Sequence, residues 1–370
     1  MLYPNCWGWP ANTTSLRRLW MTSFWLKPKE IINSSHTNLY SCICYVHCIM
    51  SVKVDYALFG CTGNVGRHCL QYLKKLDPDA SCVCFSRSQT QDKAEVSCED
   101  GNISCYADIC NPQTIKDALR KYHPKVLFVA MPQLLSSEEM RTCAAVICEA
   151  VTEIPDQKVT VVRLSSYAIE PTTHNPQGQG ALGNAHLFAE QCLLTAGIRL
   201  VSIRPTSFFT NFDNYDLPAL IGKGASYNIM SPLGHESYSR VNWVACDDIG
   251  NVAANCMVKC KNEEILHSDI HTDTNAYPHI VNVTGGAGNT LSLQEYCTIL
   301  TEALQKNDIT VTCTDLPLPE VDDFYNLWKF LRNGGFDVCT TSVKDYTGKE
   351  PISLLAYIKM ALNNNVEHTV

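Results

Sequence analysis

The most legible chemistry in this chain lies in one short run, Phe59-Gly60-Cys61-Thr62-Gly63-Asn64-Val65-Gly66-Arg67, which spaces its glycines as Gly-x-x-Gly-x-x-Gly. Glycines at these intervals permit a tight turn, a close approach of backbone to a ligand, and a helix pressed against the preceding strand. Where such a turn joins a buried strand to an amphipathic helix, its N–H groups and the positive helix end can hold a diphosphate. The flanks read that way: Val52–Phe59 is apolar and β-rich, and Val65–Lys75 carries a helical period. Gly60, Thr62, Gly63, Asn64, Val65 and Gly66 are therefore the expected phosphate-contacting residues of a dinucleotide site.

The end of the second strand selects the nucleotide. A site for NAD usually carries Asp or Glu there to accept the ribose hydroxyls, whereas this strand ends Cys84-Phe85-Ser86-Arg87-Ser88, without an acid. The Arg87 guanidinium suits the 2′-phosphate of NADP through charge-assisted hydrogen bonds, with Ser86 or Ser88 assisting. NADP(H) is the expected cofactor. Asp108, after the third strand, either contacts adenine or leads into the next helix. Ala130 and Met131, before Pro132, should border the nicotinamide ribose; Met131 otherwise reads as core.

Proton chemistry is less legible. Tyr and Lys four residues apart on a helix would both face a nicotinamide, the cation lowering the phenol's pKa. Here the corresponding helix reads Gly183-Asn184-Ala185-His186-Leu187-Phe188-Ala189-Glu190-Gln191, and no lysine lies between Lys158 and Lys223. His186 is the candidate proton donor, with Glu190 one turn later to orient or charge it; the alternative is a polar helix face or a local structural bond. Tyr167 is a second candidate donor, or a loop aromatic covering the pocket. In the run from Pro205 to Phe212, Phe208 can stack a planar acceptor and Asn211 offers both donor and acceptor groups; the competing reading is that these phenylalanines pack two parts of the chain together. Cys61, at a helix N-terminus, reads either as a reactive thiolate or as a small buried thiol. Asp247 and Asp248 read as the start of a helix.

The elements that must position these groups alternate. Apolar β-rich runs fall at Val52–Phe59, Ser81–Phe85, Ile103–Tyr106, Val126–Met131, Val159–Leu164 and Leu200–Ile203, with helical segments at Val65–Lys75, Pro112–Tyr122, Glu138–Val151 and Ala185–Ala196. Such alternation winds a parallel sheet between two layers of helices. The expected fold is α/β, a Rossmann-type doubly wound parallel sheet over about 52–205 with a smaller C-terminal α/β substrate lobe over about 206–362. In that lobe, helices are expected at Asp247–Lys259, Leu291–Lys306 and Pro319–Leu331, and strands at His279–Val283 and Ile309–Cys313. Residues 1–49 hold four of the six tryptophans, four basic residues against one acid, and no clear period. They read as a disordered N-terminal extension or gene-model artefact, with 50–370 as the working unit.

Composition narrows the function classes. The chain has 370 residues, 45% hydrophobic and 18% charged, which suits a packed core. A net charge of −8 argues against direct nucleic-acid binding, which needs clustered cations. Its 20 cysteines contain no Cys-x-x-Cys and are spread through buried-looking segments, so they read as free thiols in a reducing, cytoplasmic compartment, with no metal site. The apolar stretch Leu39–Met50 is too short to cross a membrane.

The order of motifs resembles the NmrA-like family of atypical short-chain dehydrogenase/reductases. The resemblance covers about residues 52–362 and is carried by the Gly60–Arg67 run, Val162-Arg163-Leu164-Ser165-Ser166, His186-x3-Glu190, Gly197-Ile198-x5-Arg204-Pro205-x2-Phe208-x2-Asn211-Phe212, Asp248-Ile249-Gly250-x2-Ala253-Ala254, Thr284-Gly285-Gly286 and Leu291-Ser292-x2-Glu295. It implies an NADP-binding Rossmann core, found both in NAD(P)H-dependent reductases of quinones or related electrophiles and in nucleotide-sensing regulators with little catalysis. The first class expects a small planar electrophile as partner, the second a regulatory protein.

Overall fold

The computed structural model describes residues 52–86, 95–97, 103–109, 111–131, 136–154, 159–171, 178–211, 216, 226–234, 239–264, 278–304, 310–318 and 325–366. The expected extension over 1–49, and Arg87, Ser88, Pro132 and Phe212, lie outside the described residues. The chain runs through β1 (Val52–Phe59), α1 (Asn64–Leu76), β2 (Cys82–Ser86), β3 (Glu95–Ser97), β4 (Ile103–Tyr106), α2 (Pro112–Lys121), β5 (Tyr122–Val129), α3 (Ser137–Thr152), β6 (Thr160–Leu164), α4 (Ala181–Thr195) and β7 (Arg199–Pro205). There follow β8 (Ser207–Phe208), β9 (Ser226–Ser231), β10 (Val241–Val244), α5 (Cys246–Lys261), β11 (His279–Val283), β12 (Thr290–Leu291), α6 (Leu293–Leu304), β13 (Thr310–Asp315), α7 (Tyr325–Arg332), α8 (Ser342–Thr347) and α9 (Leu354–Val366).

Eight strands form one sheet in the order β11-β7-β6-β5-β1-β2-β4-β3, parallel throughout except for β3 against β4. This is the expected doubly wound α/β fold. Because side chains alternate along a strand, Tyr56 and Leu58 of β1 join the core formed with α1 and α5. Ala57 and Phe59 join the opposite core, under α2, α3 and α4. β1 lies between β2 and β5. Chain progression reverses there, and open α/β sheets bind ligands beyond the strand ends at such a switch point.

Local signals set most boundaries. Asn111 caps α2 by accepting from the Gln113 N–H at 3.2 Å, with Pro112 in the first turn. Ser136 and Glu139 form a capping box at the start of α3. β5 begins at Tyr122, four residues before its expected start: Pro124 cannot continue a helix and biases His123 towards extended backbone, and Tyr122 is buried against Phe85 with ring centroids 6.3 Å apart. Leu291, expected to open a helix, pairs instead with Val241 in β12. The helix starts after it because the Ser292 N–H donates to Glu295 at 2.7 Å and Ser292 Oγ accepts the Glu295 N–H at 3.3 Å.

The strand expected at His279–Val283 forms, but as the eighth strand of the main sheet, parallel to β7. The doubly wound layer therefore draws on residues well past Pro205. The smaller sheets are β12-β10-β8 and the parallel pair β13-β9. Phe209, Tyr296, Leu300 and Leu354 gather there in a separate apolar cluster. No disulfide joins any of the fourteen described cysteines.

Asp248, in the first turn of α5, accepts the Ile352 N–H at 2.8 Å and so ties the segment before α9 to the main layer. Burial pushes its carboxyl up to about 6, against the pull of that hydrogen bond. The folded state thus keeps this proton to higher pH than an unfolded Asp, near 3.9. The group's contribution to stability is complete below about pH 4 and is lost as pH rises through about 6. Asp248→Asn keeps an oxygen for Ile352, and should raise stability by up to ~2 kcal/mol at about pH 7.5 and by less than ~1 kcal/mol at about pH 4.5. Urea titrations at both pH values measure this; destabilisation at the higher pH would mean that the ionised carboxylate is needed.

Candidate functional site

Gly60 leaves β1 with φ +83°, and a Cβ there would stand 2.6 Å from the Ala130 carbonyl oxygen, so the turn is pressed against the end of β5. The Gly63 N–H donates to the Gly60 carbonyl at 3.0 Å. A Cβ on Gly66 would come within 2.0 Å of that same carbonyl, which lets α1 start directly beneath the turn. Gly63 is the N-cap residue of α1, no side chain caps the helix, and no acid sits in its first turn. Arg67 makes the first helical bond, to the Gly63 carbonyl at 3.0 Å, leaving the N–H groups of Asn64, Val65 and Gly66 for a partner outside the helix. Thr62, Gly63 and Asn64 are exposed around this opening. Converging donors and a positive helix end suit a diphosphate.

Ala130 and Met131 directly follow β5, with the Ala130 N–H on the Phe59 carbonyl at 3.1 Å. The structure thus brings Gly60, Thr62, Gly63, Asn64, Val65, Gly66, Ala130 and Met131 together at the switch point. Asp108 stands two strands away, after β4; its N–H donates to Thr114 Oγ1 at 3.0 Å and its carbonyl accepts the Asn111 N–H at 2.8 Å. Its backbone therefore anchors the start of α2. Cys61 is buried, donating to the Phe85 carbonyl at 3.6 Å. A hydrogen bond shared with Cys84, with burial, raises its thiol pKa far above the usual range, and the nearby amides do not offset this. The thiolate reading of Cys61 is thereby corrected: it is a protonated, enclosed thiol.

A buried charge cluster lies beneath α4. Glu190, 1% exposed, meets Arg204 Nη2 at 2.5 Å, and its Oε1 accepts from Ser165 Oγ at 2.6 Å and Ser202 Oγ at 2.5 Å. Arg204 Nη1 also reaches Glu170 at 2.7 Å. Arg163, on β6, stands 4.0 Å from Glu190 through Nη1 and 3.1 Å from His186 Nδ1 through Nη2. Burial, with Arg204 nearby, lowers the Arg163 guanidinium to about 10.

The expected His186–Glu190 partnership is not formed, because Arg204 and two hydroxyls hold the carboxylate, with Arg163 4.0 Å away. Burial, then the charges of Arg163 and Arg204, holds the His186 pKa well below its usual 6.5. The ring is neutral near pH 7, so the environment does not favour an imidazolium donor. Sequence reasoning assigned no role to the Arg163 and Arg204 side chains, although a signal was present: cations inside the apolar runs Val161-Val162-Arg163-Leu164 and Leu200-Val201-Ser202-Ile203-Arg204 demand partners when buried.

Tyr167 donates its N–H to the Pro205 carbonyl at 3.0 Å and accepts from the Gln179 side chain on its own carbonyl. Its ring meets Phe336 edge-on at 5.8 Å, and burial raises the phenol pKa. Phe208 and Asn211 are both partly buried, Phe208 lying in β8 beside Val244. Phe209 is wholly buried and tilts against Tyr357 at 5.1 Å, which is the packing role weighed for these aromatics. Among the described residues, no group of three or more His, Cys, Asp or Glu is arranged to hold a metal ion, and no helix is long and apolar enough to cross a membrane.

No family model matches this sequence and no curated protein matches it. The NmrA-like resemblance therefore rests on its motifs. The fold is similar to that of the Citrobacter sp. triphenylmethane reductase solved with NADP(H), at TM-score 0.62 and 16% identity over 83% of this chain and 99% of that one. It is likewise similar to the NADPH-dependent quinone oxidoreductase of Escherichia coli solved with NADPH, at TM-score 0.61 and 15% identity over 83% and 99%. A Staphylococcus aureus nucleoside-diphosphate-sugar epimerase gives TM-score 0.61 and 15% identity over 82% and 99%.

Proposed function

We propose that this chain is an NADPH-dependent reductase that delivers hydride to a small planar electrophile, with quinones first among the acceptors. The observation that carries this reading is the uncapped glycine turn at the β1/β5 switch point, where three first-turn N–H groups of α1 await an anion. A diphosphate would rest on the backbone of Gly60, Thr62, Gly63, Asn64, Val65 and Gly66. Arg87 would take the 2′-phosphate, Asp108 would stand towards adenine, and Ala130 and Met131 would border the nicotinamide ribose. When bound there, the dihydronicotinamide supplies hydride. Phe208 and Asn211 would receive the acceptor, and Tyr167 would cover it. Fold similarity to a triphenylmethane reductase and a quinone oxidoreductase, each solved with this nucleotide, points the same way.

Reduction of such acceptors does not need a Tyr–Lys pair, because solvent can protonate a stabilised product. Residues 50–370 would be the working unit, in a cytosolic compartment that keeps its thiols reduced. A second reading is a noncatalytic NADP(H) sensor acting through a protein partner. It is favoured by one observation: α4 carries neither Tyr nor Lys.

Calorimetry of the full chain with NADPH and NADH, followed by NADPH oxidation with a quinone panel, separates these readings. NADPH should bind more tightly, and Arg87→Glu should weaken NADPH roughly 10- to 100-fold more than NADH. Equal losses would remove Arg87 from the site, and silence with both nucleotides would end the proposal. Tight binding without turnover would select the sensor.

A further inference from the structure

A guanidinium offers only donors, and Arg163 Nη2 lies 3.1 Å from His186 Nδ1. Two donors cannot share that contact, so Nδ1 must be the ring nitrogen with the free lone pair and the proton must sit on Nε2. Arg163 is 1% exposed on a central strand, so it is not free to swing away and let the ring change tautomer. His186 is partly exposed, and its Nε2 meets no donor or acceptor among the described residues. α4 joins two parallel strands, β6 and β7, and so runs back against them. His186, one turn before Glu190, therefore stands nearer the C-terminal edge of the sheet, where the Gly60 turn and Ala130 also lie.

The charges around the ring agree with this arrangement. Arg163 comes from β6 and Arg204 from β7; Glu190, along α4, is taken by Arg204, Ser165 and Ser202. Arg141, from α3, sits over the neighbouring Phe188 ring at 5.5 Å. Arg163 touches the imidazole and the charge of Arg204 also reaches it, while among the described residues no carboxylate bonds the ring.

We infer that Arg163 locks His186 as the neutral tautomer protonated on Nε2, and that this N–H donates a hydrogen bond to a carbonyl oxygen of the bound electrophile. The inference rests on the reductase reading. His186 is then a catalytic hydrogen-bond donor and Arg163 a positioning residue. As hydride adds to a ring carbon conjugated with that carbonyl, the C=C pair shifts and the carbonyl π pair moves to oxygen. The Nε2–H, polarised by Arg163, meets that negative charge. Water protonates the oxygen, and loss of a proton from the reduced carbon with protonation of the second carbonyl completes the hydroquinone. His186 keeps its own proton and ends the cycle unchanged.

The test is NMR of the full chain labelled with ¹⁵N-histidine, the His186 signals being identified by their loss in His186→Gln. Long-range ¹H–¹⁵N spectra should show the Nε2–H form at neutral pH and still as the prevailing form at the usual histidine midpoint near 6.5. Arg163→Lys, which keeps donor and charge, should retain this form, and Arg163→Met should return the ring to ordinary titration with Nδ1–H populated. NADP⁺ with menadione, both oxidised and unable to react, should shift the Nε2–H resonance selectively. In the wild type, an Nδ1–H ring or an imidazolium midpoint at or above about 6.5 would overturn the inference without recourse to any variant. So would an unmoved Nε2–H when calorimetry shows both probes bound. If calorimetry detects no nucleotide, the reductase reading and the donor role fall together, while the tautomer is still read from the free protein.

Discussion

Gly66→Ala is expected to break the joint between β1 and α1, whereas Gly63→Ala should leave the fold standing and remove nucleotide binding. The added methyl at 66 would lie 2.0 Å from the Gly60 oxygen, 2.7 Å from its carbonyl carbon and 3.0 Å from Cys61 Cα. All three are backbone atoms of a turn already wedged against Ala130, so no side chain can swing aside. A clash of that kind costs about 3 kcal/mol or more. At Gly63 the backbone is ordinary, φ −77° and ψ 171°, and the nearest atom to a new Cβ is the Gly60 oxygen at 3.3 Å. Stability should fall there by less than ~1 kcal/mol, while the methyl crowds the exposed turn whose N–H groups a diphosphate would use. Thermal unfolding and NADPH calorimetry on both variants separate the two roles. Wild-type melting of Gly66→Ala would contradict the close packing, and wild-type affinity of Gly63→Ala would move the phosphates elsewhere.

Glu190→Met should be the most damaging single change in the core outside the turn. It strips the carboxylate from Arg204, withdraws the anion nearest Arg163, and leaves the Ser165 and Ser202 hydroxyls without their acceptor. Removing one partner of a buried ion pair typically costs about 3–5 kcal/mol; here Arg204 keeps only the half-exposed Glu170, and Arg163 loses its nearest anion. The double variant Glu190→Met with Arg204→Met removes opposite charges together and should recover at least ~1.5 kcal/mol relative to the sum of the two single changes. Denaturant unfolding of the four proteins gives the coupling directly. Additive losses would mean that the 2.5 Å contact contributes nothing specific.

Local features were readable from the chain because local physics produces them. The glycine spacing, the Asn111-Pro112 helix start and the apolar runs of β1, β2, β4, β6 and β7 depend on backbone freedom, on a missing N–H and on a period of two, all properties of neighbouring residues. Boundaries slipped where a neighbour was not sequential. Tyr122 becomes strand because it packs on Phe85, and Leu291 becomes strand because it pairs with Val241. His279–Val283 reads as a strand but carries no mark of which sheet it will join; pairing with Val201–Pro205 of β7 settles that.

The sequence by itself determined the α/β winding, the glycine turn between β1 and α1 and the absence of a Tyr–Lys pair from α4. Only the tertiary structure decided that Glu190 belongs to Arg204 rather than to His186, that His186 is neutral, and that Cys61 is enclosed beside Cys84. Partner choice and protonation follow distance and solvent access. Both are set by how β6, α4 and β7 stack, and i,i+4 spacing along one helix does not encode a competing guanidinium on the strand beneath it.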